Sequence, residues 1–147
     1  MNRLSLAQLI PLISLLLITT PVLANNTAER VLKALMDAGI PIVEEEVVDA
    51  DTDPNRLLGR PFQYVEKAVW ADDRIEWSDE KQICTVEVFK NKQELQARKK
   101  RIEKIGRAWS QAVQYQFSKG LVLIRLDRRL TPDEAADYGK VLKKLPL

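Results

Sequence analysis

Histidine is absent from the 147-residue sequence, and cysteine occurs once, as Cys84. Without histidine there is no Ser-His-Asp or Cys-His catalytic arrangement and no imidazole metal site. A single cysteine can form neither an intramolecular disulfide nor a zinc site with several thiolates. Glycine is also scarce, at five residues, and none of them belongs to a glycine-rich phosphate loop or a G-x-S-x-G turn. These absences exclude the common histidine- and thiol-based enzymes, and we expect Cys84 to be a small buried side chain of a strand.

Charge is distributed unevenly, although 23 basic residues nearly balance 21 acidic ones. Residues 44–53 contain six acids and no base, whereas residues 90–107 contain eight bases and two acids. The net charge of +2 gives no attraction of the whole molecule to nucleic acid, so no specific nucleic-acid partner is expected. The two segments of opposite sign predict charged surfaces instead.

One long apolar run is present, at the N-terminus. Residues 4–18 are almost wholly apolar, and a Val-Leu-Ala triplet ending at Ala24 offers the small residues that a signal peptidase requires. This pattern predicts a cleavable signal peptide over residues 1–24 and one domain over residues 25–147. The protein is then exported, either secreted or periplasmic. The alternative is an uncleaved membrane anchor, which is the one membrane contact that we predict from the sequence.

Hydrophobic periodicity in residues 25–147 predicts an α+β domain with the element order α-β-β-β-α-β-β-α. Because the strands come in consecutive groups with short connections, an antiparallel sheet is favoured over βαβ winding. We expect four to five strands, with helices packed mainly on one face. Two helix starts are marked by capping boxes, one formed by Asn91 with Glu94 and one by Thr131 with Glu134.

The helix predicted over residues 92–107 carries an apolar stripe and an opposite basic face. The stripe consists of Leu95, Ile102 and Ile105, and Trp109 extends it. The basic face consists of Lys100, Lys104 and Arg107. Such a face is either solvated or binds an anionic partner, such as phospholipid head groups, polysaccharide, nucleic acid or an acidic protein. Arg98 projects within the stripe, so we expect a structural ion pair there with Glu66, Glu87 or Asp53.

Residues 49–61 read D-A-D-T-D-P-N-R-L-L-G-R-P. Asp49, Asp51 and Asp53 match the opening of an EF-hand calcium loop. The sixth and twelfth positions, however, are proline and arginine, where that loop requires glycine and glutamate. No metal site is therefore predicted. Asp53 is interpreted instead as the cap of a short helical turn over residues 54–58.

Several sequence motifs occur together in a recurrent order. They are T-D-P-N-R-L-L-G-R-P at residues 52–61, Tyr64 with Lys67, V-E-V-F at residues 86–89, Arg98, and L-T-P-D-E-A-A-D-Y at residues 130–138. This order resembles a group of small bacterial exported and lipoprotein-type proteins. The resemblance covers most of residues 25–147 and implies an extracytoplasmic α+β domain, without implying an activity. The chain departs from the group because it has no lipobox cysteine and because residues 72–83 are charged.

We interpret the chain as an exported binding or interaction domain with no catalytic residues and no cofactor. Its partner is an unknown protein or an anionic component of the envelope. The candidate surface consists of Asn55, Arg56, Arg60 and Tyr64. Guanidinium groups and backbone donors there could hold a carboxylate or a phosphate, unless the loop serves only to join two strands. Two alternatives are an envelope hydrolase with two carboxyl groups in a deep cleft, and an anionic-surface binder acting through helix 92–107.

Overall fold

The computed structural model describes residues 27–76 and 84–147, and the predicted signal segment 1–24 lies outside them. The fold is α+β, and the order of its elements confirms the predicted one. In chain order the elements are α1 (Thr27–Asp37), β1 (Ile42–Val48), β2 (Glu66–Asp72), β3 (Cys84–Val88), α2 (Lys92–Ala108), a 3₁₀ turn (Ser110–Ala112), β4 (Gln114–Lys119), β5 (Val122–Asp127) and α3 (Pro132–Lys144). Among the helices of these two ranges, none has the length and apolar content needed to cross a bilayer.

The five strands form one antiparallel sheet in the order β1-β2-β3-β5-β4. In its centre, Val86 of β3 pairs with Ala68 of β2 and with Ile124 of β5. Because side chains alternate along a strand, neighbouring residues point to opposite sides of the sheet. We call the side that carries Val86 the first face, and the side that carries Glu87 the second face.

The first face is apolar and is covered by α1 and α3, which pack on the main hydrophobic core. α3 begins at the predicted capping box, in which Thr131 Oγ1 accepts a hydrogen bond from the Glu134 N–H and the Glu134 carboxylate accepts one from the Thr131 N–H. Cys84 is buried in this core, as predicted. The core residues that the two helices contribute are Ala28, Val31, Leu32, Leu35, Ala135, Tyr138 and Leu142.

The second face is packed against the remaining helix, α2, through a smaller apolar cluster that includes Leu95, Ile102 and Leu123. The predicted stripe of α2 is wrong in its C-terminal part, because Ile105 is 44 % exposed and Trp109 is 61 % exposed. The helix ends at Ala108, and Trp109 has an extended backbone that leaves the helical path. The apolar cover of this face is therefore short, and the rest of the face is polar.

Candidate functional site

A buried carboxylate organises the loop between β1 and β2. Asp53 is 2 % exposed, and it accepts hydrogen bonds from Tyr64 Oη at 2.7 Å and from Lys67 Nζ at 2.6 Å. It also accepts bonds from the backbone N–H groups of Asn55, Leu57 and Leu58. The predicted helical turn over residues 54–58 is wrong, because these N–H groups converge on one carboxylate and the segment consists of turns.

The ionisation of this group follows from its contacts. Burial opposes the charged form of Asp53, but the hydrogen bonds from Lys67 and Tyr64 outweigh it, so the pKa of Asp53 lies well below its usual range. Burial lowers the pKa of the Lys67 ammonium, and the Asp53 carboxylate partly offsets that effect. Burial and the bond to Asp53 together raise the pKa of Tyr64. Asp53 is therefore an anion and Tyr64 a neutral donor at neutral pH.

A second buried carboxylate, Glu87, lies on the same face and holds two arginines. Arg98 donates to it from Nε at 3.0 Å and from Nη2 at 2.9 Å, which confirms the ion pair predicted for Arg98. Arg125 donates to Glu87 from Nη2 at 2.8 Å and to Gln114 from Nη1 at 2.9 Å. The sequence reasoning missed Arg125 and did not assign a role to Lys67. The available signal was Arg125 itself, a charged residue inside the otherwise apolar strand β5.

The buried charges on the second face do not balance. Three cations, Lys67, Arg98 and Arg125, meet two anions, Asp53 and Glu87. Two donors also lack a partner within the described part of the chain, namely Nε of Arg125 and the hydroxyl of Thr85, and so do two acceptors, Oε2 of Glu94 and Oε1 of Gln116. Arg125 and Thr85 are 8 % and 3 % exposed. A buried polar group without a partner costs free energy, so the site is incomplete as it stands.

Arg125 and Thr85, the residues that carry the unpartnered donors, line a cleft of about 630 Å³ between the sheet, the Asp53 loop and α2. We call this space the second-face cleft. Six of its lining residues are basic and one, Asp127, is acidic, and Arg129 holds that acid at 2.7 Å. At the rim, the guanidinium groups of Arg101 and Arg128 form no salt bridge or hydrogen bond with any described residue. The cleft is therefore strongly electropositive.

Of the four residues of the predicted loop surface, three are exposed and one is buried. Asn55, Arg56 and Arg60 are exposed, and of these Asn55 lines the cleft. The prediction is wrong for Tyr64, which is fully buried. Its ring contacts the Phe89 ring edge-on, with 6.4 Å between the ring centroids, and it lies under the Lys67 ammonium and the Arg98 guanidinium. Its hydroxyl donates a hydrogen bond to Asp53. An alternating strand pattern could not reveal that hydrogen bond, because Asp53 is eleven residues away.

The predicted basic face of α2 lies outside the second-face cleft. Lys100, Lys104 and Arg107 are exposed, as expected for the side of α2 opposite its buried stripe. None of the three lines the second-face cleft. The structure thus separates two basic regions that the sequence presents as one charged segment.

The carboxylates at the cleft are not arranged for hydrolysis. Asp53 and Glu87 are buried and each is bonded to cations, and Asp127 is held by Arg129. An acid–base pair needs two carboxyl groups that can reach substrate and exchange protons. Within residues 27–76 and 84–147, no three metal-ligating side chains cluster closely enough to hold a metal ion. What the cleft offers chemically is hydrogen-bond donors and positive charge.

No protein-family model, curated protein or solved structure matches the chain. The resemblance of the T-D-P-N-R-L-L-G-R-P stretch to small exported proteins therefore stays a prediction. The stretch does have a local explanation in this chain: Asp53 gathers the loop, and Pro54, Asn55 and Leu57 form one wall of the cleft. Three of its residues thus contribute to the cleft whether or not other proteins share the stretch.

Proposed function

We propose that this chain is a binding domain for a small anionic ligand, and that the second-face cleft is its binding site. The observation that carries the proposal is the unbalanced buried charge, together with the unpartnered donors of Arg125 and Thr85, two residues that line a cleft. Buried cations are normally neutralised by a nearby anion, and buried donors normally have an acceptor. A carboxylate or phosphate group of a ligand meets both needs at once.

The ligand's anionic group lies on the floor of the cleft, where it accepts hydrogen bonds from Nε of Arg125 and from the Thr85 hydroxyl. Arg101 and Arg128 at the rim add long-range attraction and contact a second polar group of the ligand. Ile102 and Leu57, which also line the cleft, contact its apolar part. A volume of about 630 Å³ is in the range of cavities that hold metabolite-sized molecules.

The domain works outside the cytoplasm, as a carrier or sensor of its ligand and without catalysis. The sequence of residues 1–24, with its apolar run and cleavable triplet, supports export. N-terminal sequencing of the protein recovered from an expressing bacterium tests this part. A new N-terminus at Asn25 is expected, and retention of Met1 contradicts it.

Calorimetric titration with inorganic phosphate, sulfate and succinate tests the binding site, with glucose as a neutral probe. The test variant is Arg101→Gln/Arg128→Gln, since both side chains are exposed and their loss leaves the buried network intact. The control variant is Arg30→Gln/Lys143→Gln, which removes the same charge from α1 and α3. We expect anion binding by the wild type and the control, and a loss of about tenfold in affinity in the test variant.

Two results would count against the proposal. One is the absence of binding of any of the three anions by the wild type at millimolar concentration. The other is equal affinity in the test and control variants, because that result shows attraction to net charge rather than to the cleft.

A further inference from the structure

The exposed side of α2 is a basic surface without internal partners. Lys100, Lys104 and Arg107 lie within about 60° of one another around the helix axis, at 100° per residue. All three are exposed, and their charged groups form no salt bridge with any residue in the described ranges. None of them belongs to the second-face cleft, so the surface is independent of the proposed ligand site.

Apolar side chains are exposed at the C-terminal end of the same helix. Ile105 is 44 %, Trp109 61 % and Val113 47 % exposed. Trp109 follows Arg107 by two residues at the end of the helix, and Val113 lines one groove together with Arg107 and lies 3.5 to 3.6 Å from where a Cβ of Gly106 would be. Ile105 is about 160° from Arg107 around the helix axis and lines the second-face cleft, so it belongs to the other side of α2. Trp109 and Val113 thus leave an indole ring and an apolar side chain exposed at the end of the helix that carries the basic residues.

We infer that this end of α2 docks on the surface of an anionic phospholipid membrane. The docking surface consists of Lys100, Lys104, Arg107, Trp109 and Val113. The basic side chains meet the phosphate groups of the lipids, and each contributes an attraction that salt screens. Trp109 enters the interface, where an indole ring has both an apolar environment and hydrogen-bond acceptors.

The apolar residues distinguish a membrane from a soluble polyanion. A polysaccharide or nucleic acid needs the positive charges of α2 but offers no apolar phase for Trp109 and Val113. Binding to single-stranded nucleic acid would also use aromatic rings interleaved with the basic residues, and the basic stretch of α2 has none. Basic residues followed along the chain by an exposed tryptophan and valine are instead typical of interfacial membrane contacts.

Fluorescence of Trp109 tests the docking directly, with the full chain and vesicles that contain brominated acyl chains. Vesicles of phosphatidylcholine with one part in three of phosphatidylglycerol are compared with phosphatidylcholine alone. We expect the anionic vesicles to quench tryptophan emission and shift it to shorter wavelength in the wild type. In Trp109→Phe the change disappears, which assigns it to this residue. Residues 1–24 contain no tryptophan and are common to all variants, so the signal reports α2 itself.

Charge variants then identify the surface. Lys100→Gln/Lys104→Gln/Arg107→Gln is expected to weaken the vesicle response at least about tenfold, since each basic residue near the surface contributes several-fold in partitioning. The matched control Lys140→Gln/Lys143→Gln/Lys144→Gln removes three charges from α3 and is expected to respond like the wild type. The inference is overturned if anionic vesicles leave Trp109 unquenched, if neutral vesicles quench it equally, or if soluble dextran sulfate binds the same surface while vesicles do not.

Discussion

The two faces of the sheet bury polar groups in opposite ways. On the first face, Asp72 accepts hydrogen bonds from Arg74 at 2.7 and 2.9 Å and from the Tyr138 hydroxyl at 2.7 Å, and that hydroxyl accepts one from Trp70 at 3.1 Å. None of these side chains has a buried polar atom without a partner. On the second face, by contrast, the cluster around Glu87 has an excess of positive charge and two unpartnered donors.

This difference indicates which face stabilises the fold and which face is shaped for a partner. A satisfied network inside an apolar core adds stability and fixes one packing arrangement. A network with unsatisfied polar groups lowers stability, and such a loss of stability is usual where a protein binds a ligand. We therefore expect substitutions on the first face to change stability alone. Substitutions on the second face are expected to change stability and anion binding together.

The largest effect is expected from Trp70→Ala on the first face. Trp70 is 2 % exposed, and its loss leaves a cavity and removes the hydrogen bond to Tyr138. We expect the free energy of unfolding in urea to fall by about 3–5 kcal/mol. Trp109→Ala is the control, because that side chain is 61 % exposed, and its effect is expected to stay within about 0.5 kcal/mol. Similar losses in the two variants would contradict the assignment of the core.

Glu87→Gln is expected to have the next largest effect, and it sharpens the comparison. The substitution leaves Arg98 and Arg125 without their counter-ion, at a cost of about 3 kcal/mol in the free energy of unfolding. Because the second-face cleft then holds more uncompensated positive charge, added phosphate is expected to restore more stability than it adds to the wild type. Urea unfolding with and without phosphate measures both quantities. Equal phosphate effects on the two proteins would place anion binding away from this cluster.

Asp53→Asn tests the other buried carboxylate through its pH dependence. Since Asp53 has a lowered pKa in the folded chain, its ionised form stabilises the fold above the unfolded pKa of about 3.9. That contribution is lost as the pH falls through the folded pKa. We expect the variant to be about 2 kcal/mol less stable at pH 7 and the difference to shrink below about pH 4. The exposed neighbour Asp51→Asn is the control, and a difference that does not vary with pH would contradict the role of Asp53.

The sequence predicts the first face far better than the second. Periodicity and the Thr131–Glu134 capping box suffice for α3, because those interactions are local. The second face depends on pairs distant along the chain: Lys67 meets Asp53 across 14 residues, and Arg125 meets Glu87 across 38. A strand pattern shows that such side chains share a face, but it does not show which partner each one finds.

The end of α2 shows a second limit. Helical spacing places Ile105 and Trp109 on the buried stripe, and their apolar character agrees with that placement. The structure exposes both because the helix ends at Ala108, and the boundary of a helix is the part that local patterns specify least. The prediction therefore fails at the C-terminal end of α2, where the chain leaves the helical path.

The smallest effects come from removing one hydroxyl from each face. Thr85→Val deletes an unpartnered group on the second face, so the free energy of unfolding is expected to stay the same or rise by up to about 1 kcal/mol. Tyr138→Phe deletes a partnered group on the first face, and a loss of about 1 kcal/mol is expected.

In anion affinity the two variants are expected to rank the other way, with the larger loss in Thr85→Val. Calorimetric titration with phosphate should show about tenfold weaker binding in Thr85→Val, because the anion loses a donor on the floor of the cleft, and unchanged binding in Tyr138→Phe. A Thr85→Val variant that is destabilised and binds phosphate like the wild type would mean that the hydroxyl has a structural role. The two faces would then differ in polarity without differing in function.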